Sequence, residues 1–189
     1  MASYARILVL GAWLAPPASH AQPAPTPAPS PWTYHHGPTF EVNLGFGRLH
    51  QPYEYGEGLH PAFGGPDFSL GIWLSRRLAL TWRLAGAVSS YQKGTTVNVV
   101  VGPSLQLWLT DSLWAGGTAG RAFVRGTEAE ARDGWGFEVR AGATLNQGSA
   151  STFSLSLDFT RGFYSHEDSF GMTNFRYTGL ALLAGYQYL

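Results

Sequence analysis

The segment from Phe68 to Leu84, FSLGIWLSRRLALTWRL, constrains the fold of this chain more than any other. Every second residue in it is large and apolar: Phe68, Leu70, Ile72 and Leu74, then Leu78, Leu80, Trp82 and Leu84. Because successive side chains of a strand point to opposite faces, this period of two predicts two strands. The connection Ser75-Arg76-Arg77 has an odd number of residues, which keeps both apolar sets on one face of a hairpin.

The same alternation recurs from Pro38 onward and predicts eight strands. They cover about 39–49, 68–75, 78–90, 96–109, 113–124, 134–145, 153–163 and 175–189. Pro103 interrupts the fourth strand and predicts a bulge there. Leu113, at the start of the fifth, is expected to face outward because the turn before it requires that register.

The predicted connections alternate between long and short. The long ones are 50–66, 91–95, 125–133 and 164–174, and the short ones are 75–77, 110–112 and 146–152. An even-stranded membrane barrel distributes its outer loops and periplasmic turns in this way, which places both chain ends on the periplasmic side. Aromatic residues near both sets of strand ends predict two girdles at the headgroup level: Trp73, Trp82, Trp108, Trp114, Tyr186 and Tyr188, and opposite them Tyr53, Tyr55, Tyr91, Trp135, Phe163, Tyr164, Phe175 and Tyr177. By parity Trp73, Trp108 and Trp114 point inward.

Composition agrees with a barrel that faces lipid on one side only. Charged residues make up only 13% of the 189, whereas Trp, Tyr and Phe number 7, 9 and 11. Mean hydropathy is close to zero, and no stretch approaches the roughly 20 apolar residues of a spanning helix. The predicted fold is therefore all-β: an eight-stranded antiparallel up-and-down transmembrane β-barrel over residues 38–189. A formal net charge of zero argues against a nucleic-acid partner.

The N-terminus is typical of an exported protein. Residues 1–21 combine a basic residue, Arg6, with a short apolar run and the small residues ASHA, which predicts a cleaved signal peptide. The Pro/Ala-rich segment 22–37 is expected to be an extended periplasmic leader, and its adjacent His35 and His36 do not predict a metal site. Cysteine is absent, which excludes disulfides and a lipoprotein acylation site.

A signal peptide, eight alternating strands and the ending Ala184-Gly185-Tyr186-Gln187-Tyr188-Leu189 resemble the small outer-membrane β-barrels of the OmpA/OmpX type. Tyr186 and Tyr188 match the aromatic residues of that family's closing strand, and Leu189 is an extra residue. The resemblance covers about residues 38–189. It implies the bacterial outer membrane, insertion by the barrel assembly machinery, a monomer and a filled barrel interior.

The inward face is expected to hold a network of ion pairs. An eight-stranded barrel is just wide enough for side chains to fill it, and an unpaired buried charge is costly. We therefore expect Arg83 and Arg140 to bridge Glu41, Glu138 and Asp158. This favours a barrel without an open pore and with a structural or surface-interaction role; the alternative is a narrow, porin-like channel.

An outer-membrane enzyme that modifies lipid A is the less favoured alternative. His166 and Ser169, with Ser165, offer a His-Ser pair in the last predicted outer loop. Their spacing is not that of an activated nucleophile, so no catalytic residue, cofactor or metal is predicted. Basic residues near the outer face are instead candidates for contacts with lipopolysaccharide phosphates: Lys93, Arg121, Arg125, Arg161 and Arg176.

Overall fold

The structure is a computed structural model that describes residues 36–51, 58–91, 94–127, 131–145, 151–168 and 171–189. Side chains are described over the same ranges except at residues 91, 166–168 and 171–173. The predicted signal peptide and nearly all of the predicted leader lie outside the described residues. Lys93, Ser169, Tyr53 and Tyr55 lie outside them as well.

Eight antiparallel strands close into a barrel in sequence order. They are β1 (Pro38–Gln51), β2 (Gly58–Ser75), β3 (Leu78–Tyr91), β4 (Gly94–Trp108), β5 (Leu113–Gly126), β6 (Arg132–Thr144), β7 (Ser151–Asp168) and β8 (Gly171–Tyr188). Closure comes from the pairing of β1 with β8, which runs from Phe40 opposite Tyr188 to His50 opposite Thr178. The predicted fold class is confirmed. No helix in the described ranges is long and apolar enough to cross a membrane.

The two faces of the wall have opposite character. Large apolar side chains point outward all round the barrel; Leu70 is 67% exposed and Leu182 is 60% exposed. Polar and charged side chains occupy the interior, together with small residues and a few aromatic ones. Leu113 is exposed, and Trp73, Trp108 and Trp114 are buried, as predicted.

Two rims bound the barrel. The lower rim carries the β2–β3, β4–β5 and β6–β7 connections together with Pro38 and Tyr188, and the upper rim carries the other four connections. The predicted sorting of these connections by length is wrong. At the upper rim, residues 92 and 93 alone separate β3 from β4, whereas at the lower rim residues 145–150 separate β6 from β7.

The strands near the upper rim are longer than predicted. β2 begins at Gly58 inside the predicted loop 50–66, and β7 and β8 extend through most of the predicted loop 164–174. Cross-strand pairing continues there, with Arg48 opposite Pro61 and Ser165 opposite Asn174. Backbone pairing with the neighbouring strand outweighs the weak strand propensity of these Gly-, Pro- and Ser-containing segments.

A bulge in the middle of β2 was missed, and a bulge in β4 was predicted wrongly. The register of β2 shifts between Gly64 and Phe68, so inward residues are even-numbered before this bulge and odd-numbered after it. An extra residue in one strand has this effect because side-chain direction alternates. Pro103, by contrast, pairs with Trp82, and the β4–β5 register is the same on both sides of it, so β4 has no bulge there.

Candidate functional site

The inward charges converge because five strands bring them to neighbouring register positions. Glu41 on β1 lies opposite Ser69 on β2, and Ser69 lies opposite Arg83 on β3. On the other side of the lumen Arg140 on β6 lies directly opposite Asp158 on β7. The five charged residues Glu41, Arg83, Glu138, Arg140 and Asp158 form what we call the ionic layer, at mid-height in the barrel.

Arg83 is the centre of the ionic layer. Its side chain is fully buried, and its Nε lies 2.9 and 3.0 Å from the two carboxylate oxygens of Glu138. Nη1 donates to Glu41 at 3.3 Å, and Nη2 donates to Asp158 at 3.2 Å. Hydrogen bonds to charged groups stabilise more than neutral ones do, so this guanidinium ties four strands together through the lumen.

Arg140 supports the layer from the lower side. Its Nη1 donates to Glu41 at 2.6 Å and its Nη2 donates to Gln106 at 3.2 Å. The guanidinium also lies 4.8 Å above the ring of Trp114, which is a cation–π distance. Thus the structure brings together the five residues of the predicted network, each at most 4% exposed.

Asp67 is a sixth charged member that the sequence reasoning missed. It is buried, it accepts a hydrogen bond from Arg83 Nη2 at 2.8 Å, and its other oxygen accepts one from the Gly86 amide at 2.8 Å. The predicted second strand stopped one residue short of Asp67. Continuing the alternation backward from Phe68 by a single position would have placed it inside.

The layer therefore contains four carboxylates and two guanidiniums. Oxygens of Asp67, Glu138 and Asp158 lie within 4.8 Å of one another, a spacing that suits a metal ion. Arg83 contacts all three of these carboxylates. The cation that they surround is thus the chain's own guanidinium.

Two apolar layers enclose the ionic layer. Below it, near the lower rim, lie Trp73, Ala79, Trp108, Trp114 and Leu189. Above it lie Leu49, Ala62, Val100, Ala122, Val124, Tyr164, Phe175 and Tyr177. Tyr164, Phe175 and Tyr177 were predicted to belong to an outer girdle, and they are buried inside the barrel instead.

A small chamber lies between the ionic layer and the upper apolar layer. Its volume is about 20 Å³, counted as space for the centre of a water molecule, and Asp67 and Asp158 line it together with glycines and alanines. A buried water molecule needs about 10–15 Å³ by this measure. The chamber has room for about one water molecule.

The four described arginines among the predicted lipopolysaccharide contacts lie on the upper part of the outer wall. Arg161 and Arg176 lie over the ring of Phe163, at 5.4 and 5.8 Å from its centre. Arg121 forms an exposed ion pair with Asp133. Arg125 lies in a neighbouring cleft among apolar side chains of β4 and β5.

The candidate catalytic pair of the last outer loop is described only in part. His166 lies within strand β7, where its backbone pairs with Thr173, and Ser169 lies outside the described residues. Ser165 is exposed and pairs with Asn174. The absence of catalysis stays a prediction.

Comparison with known proteins identifies solved structures with a similar fold. No protein-family model and no curated protein sequence matches this chain. Among solved structures, Neisserial surface protein A is similar with a TM-score of 0.54 at 13% identity, over 80% of this chain and 96% of that one. The attachment invasion locus protein Ail of Yersinia pestis matches with a TM-score of 0.48 at 12% identity, over 79% and 98%. The outer membrane protein AlkL matches with 0.44 at 14% identity, over 88% and 94%.

At these identities the likeness concerns the fold. The chain has the fold of the small eight-stranded outer-membrane β-barrels, as the resemblance in its strand pattern and C-terminal residues predicted.

Proposed function

We propose that this protein is a sealed, non-enzymatic β-barrel of the bacterial outer membrane with a structural or surface-interaction role. The observation that carries the proposal is the inverted polarity of the wall. The side chains of the ionic layer are buried, whereas large apolar side chains on all eight strands are exposed. In water such a continuous apolar surface would favour aggregation, whereas acyl chains accommodate it.

Strand length supports a membrane-spanning role. β6, the shortest strand, has 13 residues, which is about 43 Å along the strand and about 33 Å in height at a tilt near 40°. The apolar band of an outer-membrane barrel is about 25 Å tall. Every strand is therefore long enough to cross it. The lower rim, which bears both ends of the barrel domain, is the periplasmic one in this proposal.

The filled lumen supports the absence of an open pore. A solute on the barrel axis would meet the lower tryptophans, then Arg83 with its four carboxylates, and then the upper aromatic residues. Opening a path would require breaking several buried ion pairs at once, which is costly in a low-dielectric interior.

Membrane fractionation tests the proposal. We expect the protein in the outer-membrane fraction, with an electrophoretic mobility that changes on heating because the closed barrel resists detergent until heated. Recovery as a soluble periplasmic monomer would refute the membrane assignment.

Two further measurements address the alternatives. Planar bilayers containing the purified barrel should show no discrete conductance; steady openings that change when Arg83 and Arg140 are neutralised would establish the narrow channel instead. The masses of lipid A species should not change on overexpression, whereas a new acylation state would establish the enzyme.

A further inference from the structure

The upper part of the outer wall carries a row of four directly paired side chains. Arg121 on β5 lies opposite Trp135 on β6, Trp135 lies opposite Phe163 on β7, and Phe163 lies opposite Arg176 on β8. Paired residues on one face of a sheet are close enough to touch. The rings of Trp135 and Phe163 do so, stacked at 4.2 Å with an angle of 12° between them. We call these two rings the platform.

Two guanidiniums extend the platform. Arg161, which is one row lower on β7, and Arg176 both lie over the Phe163 ring. Among the described side chains, neither of them forms an ion pair with a carboxylate, whereas Arg121 is paired with Asp133. The platform therefore combines flat apolar surface with two positive charges that have no described acidic partner, and it borders an open cleft of about 460 Å³.

The height of the platform matches the lipid headgroups. Arg176 lies six residues above Leu182 on β8, and Leu182 adjoins the ionic layer through the pairing of Ala181 with Asp158. Six residues are about 20 Å along a strand and about 15 Å in height at a tilt near 40°. Half of the apolar band is about 12 Å. The row thus lies just beyond the acyl chains, at the outer leaflet in the proposed orientation.

We propose that this surface binds the headgroup of a phosphorylated glycolipid of the outer leaflet. Arg161 and Arg176 would hold a phosphate, and the platform would pack against the apolar C–H face of a sugar ring. Guanidinium suits phosphate because it presents several donors in one plane, and aromatic rings supply apolar area at the membrane interface. The inference rests on the proposed outer-membrane location and adds a specific partner to it.

The surface distinguishes among the arginines predicted to contact lipopolysaccharide. Arg161 and Arg176 belong to the site, and Arg121 closes the far end of its row. Arg125 does not belong to it, because Arg125 lines the adjacent cleft with Val97, Val99 and Phe123. Arg48 is also exposed on the outer wall, on β1, and it has no described contact with the platform.

The experiment compares two double variants that remove the same charge. The purified barrel is reconstituted into nanodiscs of phosphatidylethanolamine with bisphosphorylated lipid A, with dephosphorylated lipid A, or with phosphatidylglycerol at matched charge. Glycolipid retained per barrel after detergent extraction is counted by mass spectrometry. R161Q/R176Q removes the two arginines that lie over the Phe163 ring of the platform, and R48Q/R125Q is the control. Heat-modifiable mobility checks that each variant folds.

Wild type should retain bisphosphorylated lipid A in preference to the other two lipids. R161Q/R176Q should retain at least roughly tenfold less bisphosphorylated lipid A than wild type, since each charged hydrogen bond to phosphate contributes about one order of magnitude in affinity. Phe163→Leu, which keeps apolar bulk without the ring, should also lower retention, and R48Q/R125Q should resemble wild type.

Equal losses in the two double variants, or equal retention of phosphatidylglycerol, would overturn the site in favour of diffuse charge attraction. Either result would leave the membrane barrel itself intact. Absence of the protein from the outer-membrane fraction, by contrast, would remove the proposed function together with the site.

Discussion

Replacing Arg83 with Gln should destabilise the barrel strongly. The guanidinium contacts four carboxylates, and of these only Glu41 keeps a described arginine partner, Arg140 at 2.6 Å. Asp67, Glu138 and Asp158 would remain buried without one. Breaking a buried pair by removing one partner costs about 3–5 kcal/mol. We expect a loss of at least about 3 kcal/mol, and less than the sum of four pairs because contacts in one network are not additive.

The free energy of unfolding would be measured by urea titration of the refolded barrel in detergent micelles, followed by tryptophan fluorescence and extrapolated linearly to zero urea. Arg140→Gln serves as the comparison. Its single described carboxylate partner, Glu41, retains Arg83 at 3.3 Å, so the loss should be smaller. Adding Asp158→Asn to Arg83→Gln should recover part of the loss, since one uncompensated carboxylate disappears.

Three results would refute this reasoning. One is a loss below about 1 kcal/mol for Arg83→Gln, which is the range of an exposed pair. Another is a larger loss for Arg140→Gln than for Arg83→Gln. The last is a double variant no more stable than Arg83→Gln alone, which would show that the remaining carboxylates are not the source of the cost.

Three further predictions concern the free energy of unfolding, the first measured in a lipid bilayer and the other two in detergent micelles as above. Leu182→Arg, on the outer wall at mid-height, should cost about 2–4 kcal/mol in a lipid bilayer. Leu59→Arg, near the upper rim, should cost about 0–1 kcal/mol. Equal costs would contradict the proposed position of the barrel relative to the centre of the bilayer. Trp114→Ala should cost about 3–5 kcal/mol because it opens a cavity in the lower apolar layer. Trp82→Ala, at an outer position that is 62% exposed, should cost much less. The reverse order would show that the assignment of inward and outward faces is wrong. Gly120→Ala should cost about 1–3 kcal/mol because the added Cβ would meet backbone atoms of β4, and an unchanged midpoint would show that the strands separate freely there.

Much of the fold was predictable because strand periodicity is local. In the segment from Phe68 to Leu84 the alternation is visible in the residues themselves, and the turn between the two runs sets their relative phase. Parity also placed Trp73 and Trp108 inside the barrel, where they lie 6.2 Å apart. Such predictions need only the residues of one strand and its neighbour.

The upper rim was predicted poorly because pairing there is decided by strands distant in sequence. Gly- and Pro-rich residues before Phe68 resemble a loop, yet they pair with β1 up to Gln51 opposite Gly58. Assuming a loop at 164–174 also hid Tyr164, which an extension of the β7 alternation would have placed inside. Tyr177 lay within the predicted eighth strand, where its alternation with Leu180 and Leu182 already directs its side chain inward.

The bulge in β2 was the least predictable feature, and it matters for the candidate site. His60, Ala62 and Gly64 point inward before it, and Asp67 points inward after it. Without the extra residue, continuing from Asp67 with a period of two would direct the side chains of His60 and Ala62 outward and those of Leu59 and Phe63 inward. Gly64, Gly65 and Pro66 are residue types that occur at bulges, but they are equally typical of loops. Only the register with β1 and β3 therefore shows that a change of phase occurs here.

Periodicity cannot say which face of a strand is inside, but the sizes of the two sets can. An eight-stranded barrel encloses so little space that side chains fill it. On β8 the outward set includes Leu180, Leu182, Tyr186 and Tyr188, whereas the inward set includes Gly179, Ala181 and Gly185 with the larger Tyr177, Leu183 and Gln187. Eight strands bearing bulky residues inward would overfill the lumen. The small set must therefore face inward, and the few long side chains it contains must share the remaining volume, which Arg83 and its four carboxylates do by pairing. The same volume limit that fills this lumen thus directs most of the described leucines outward.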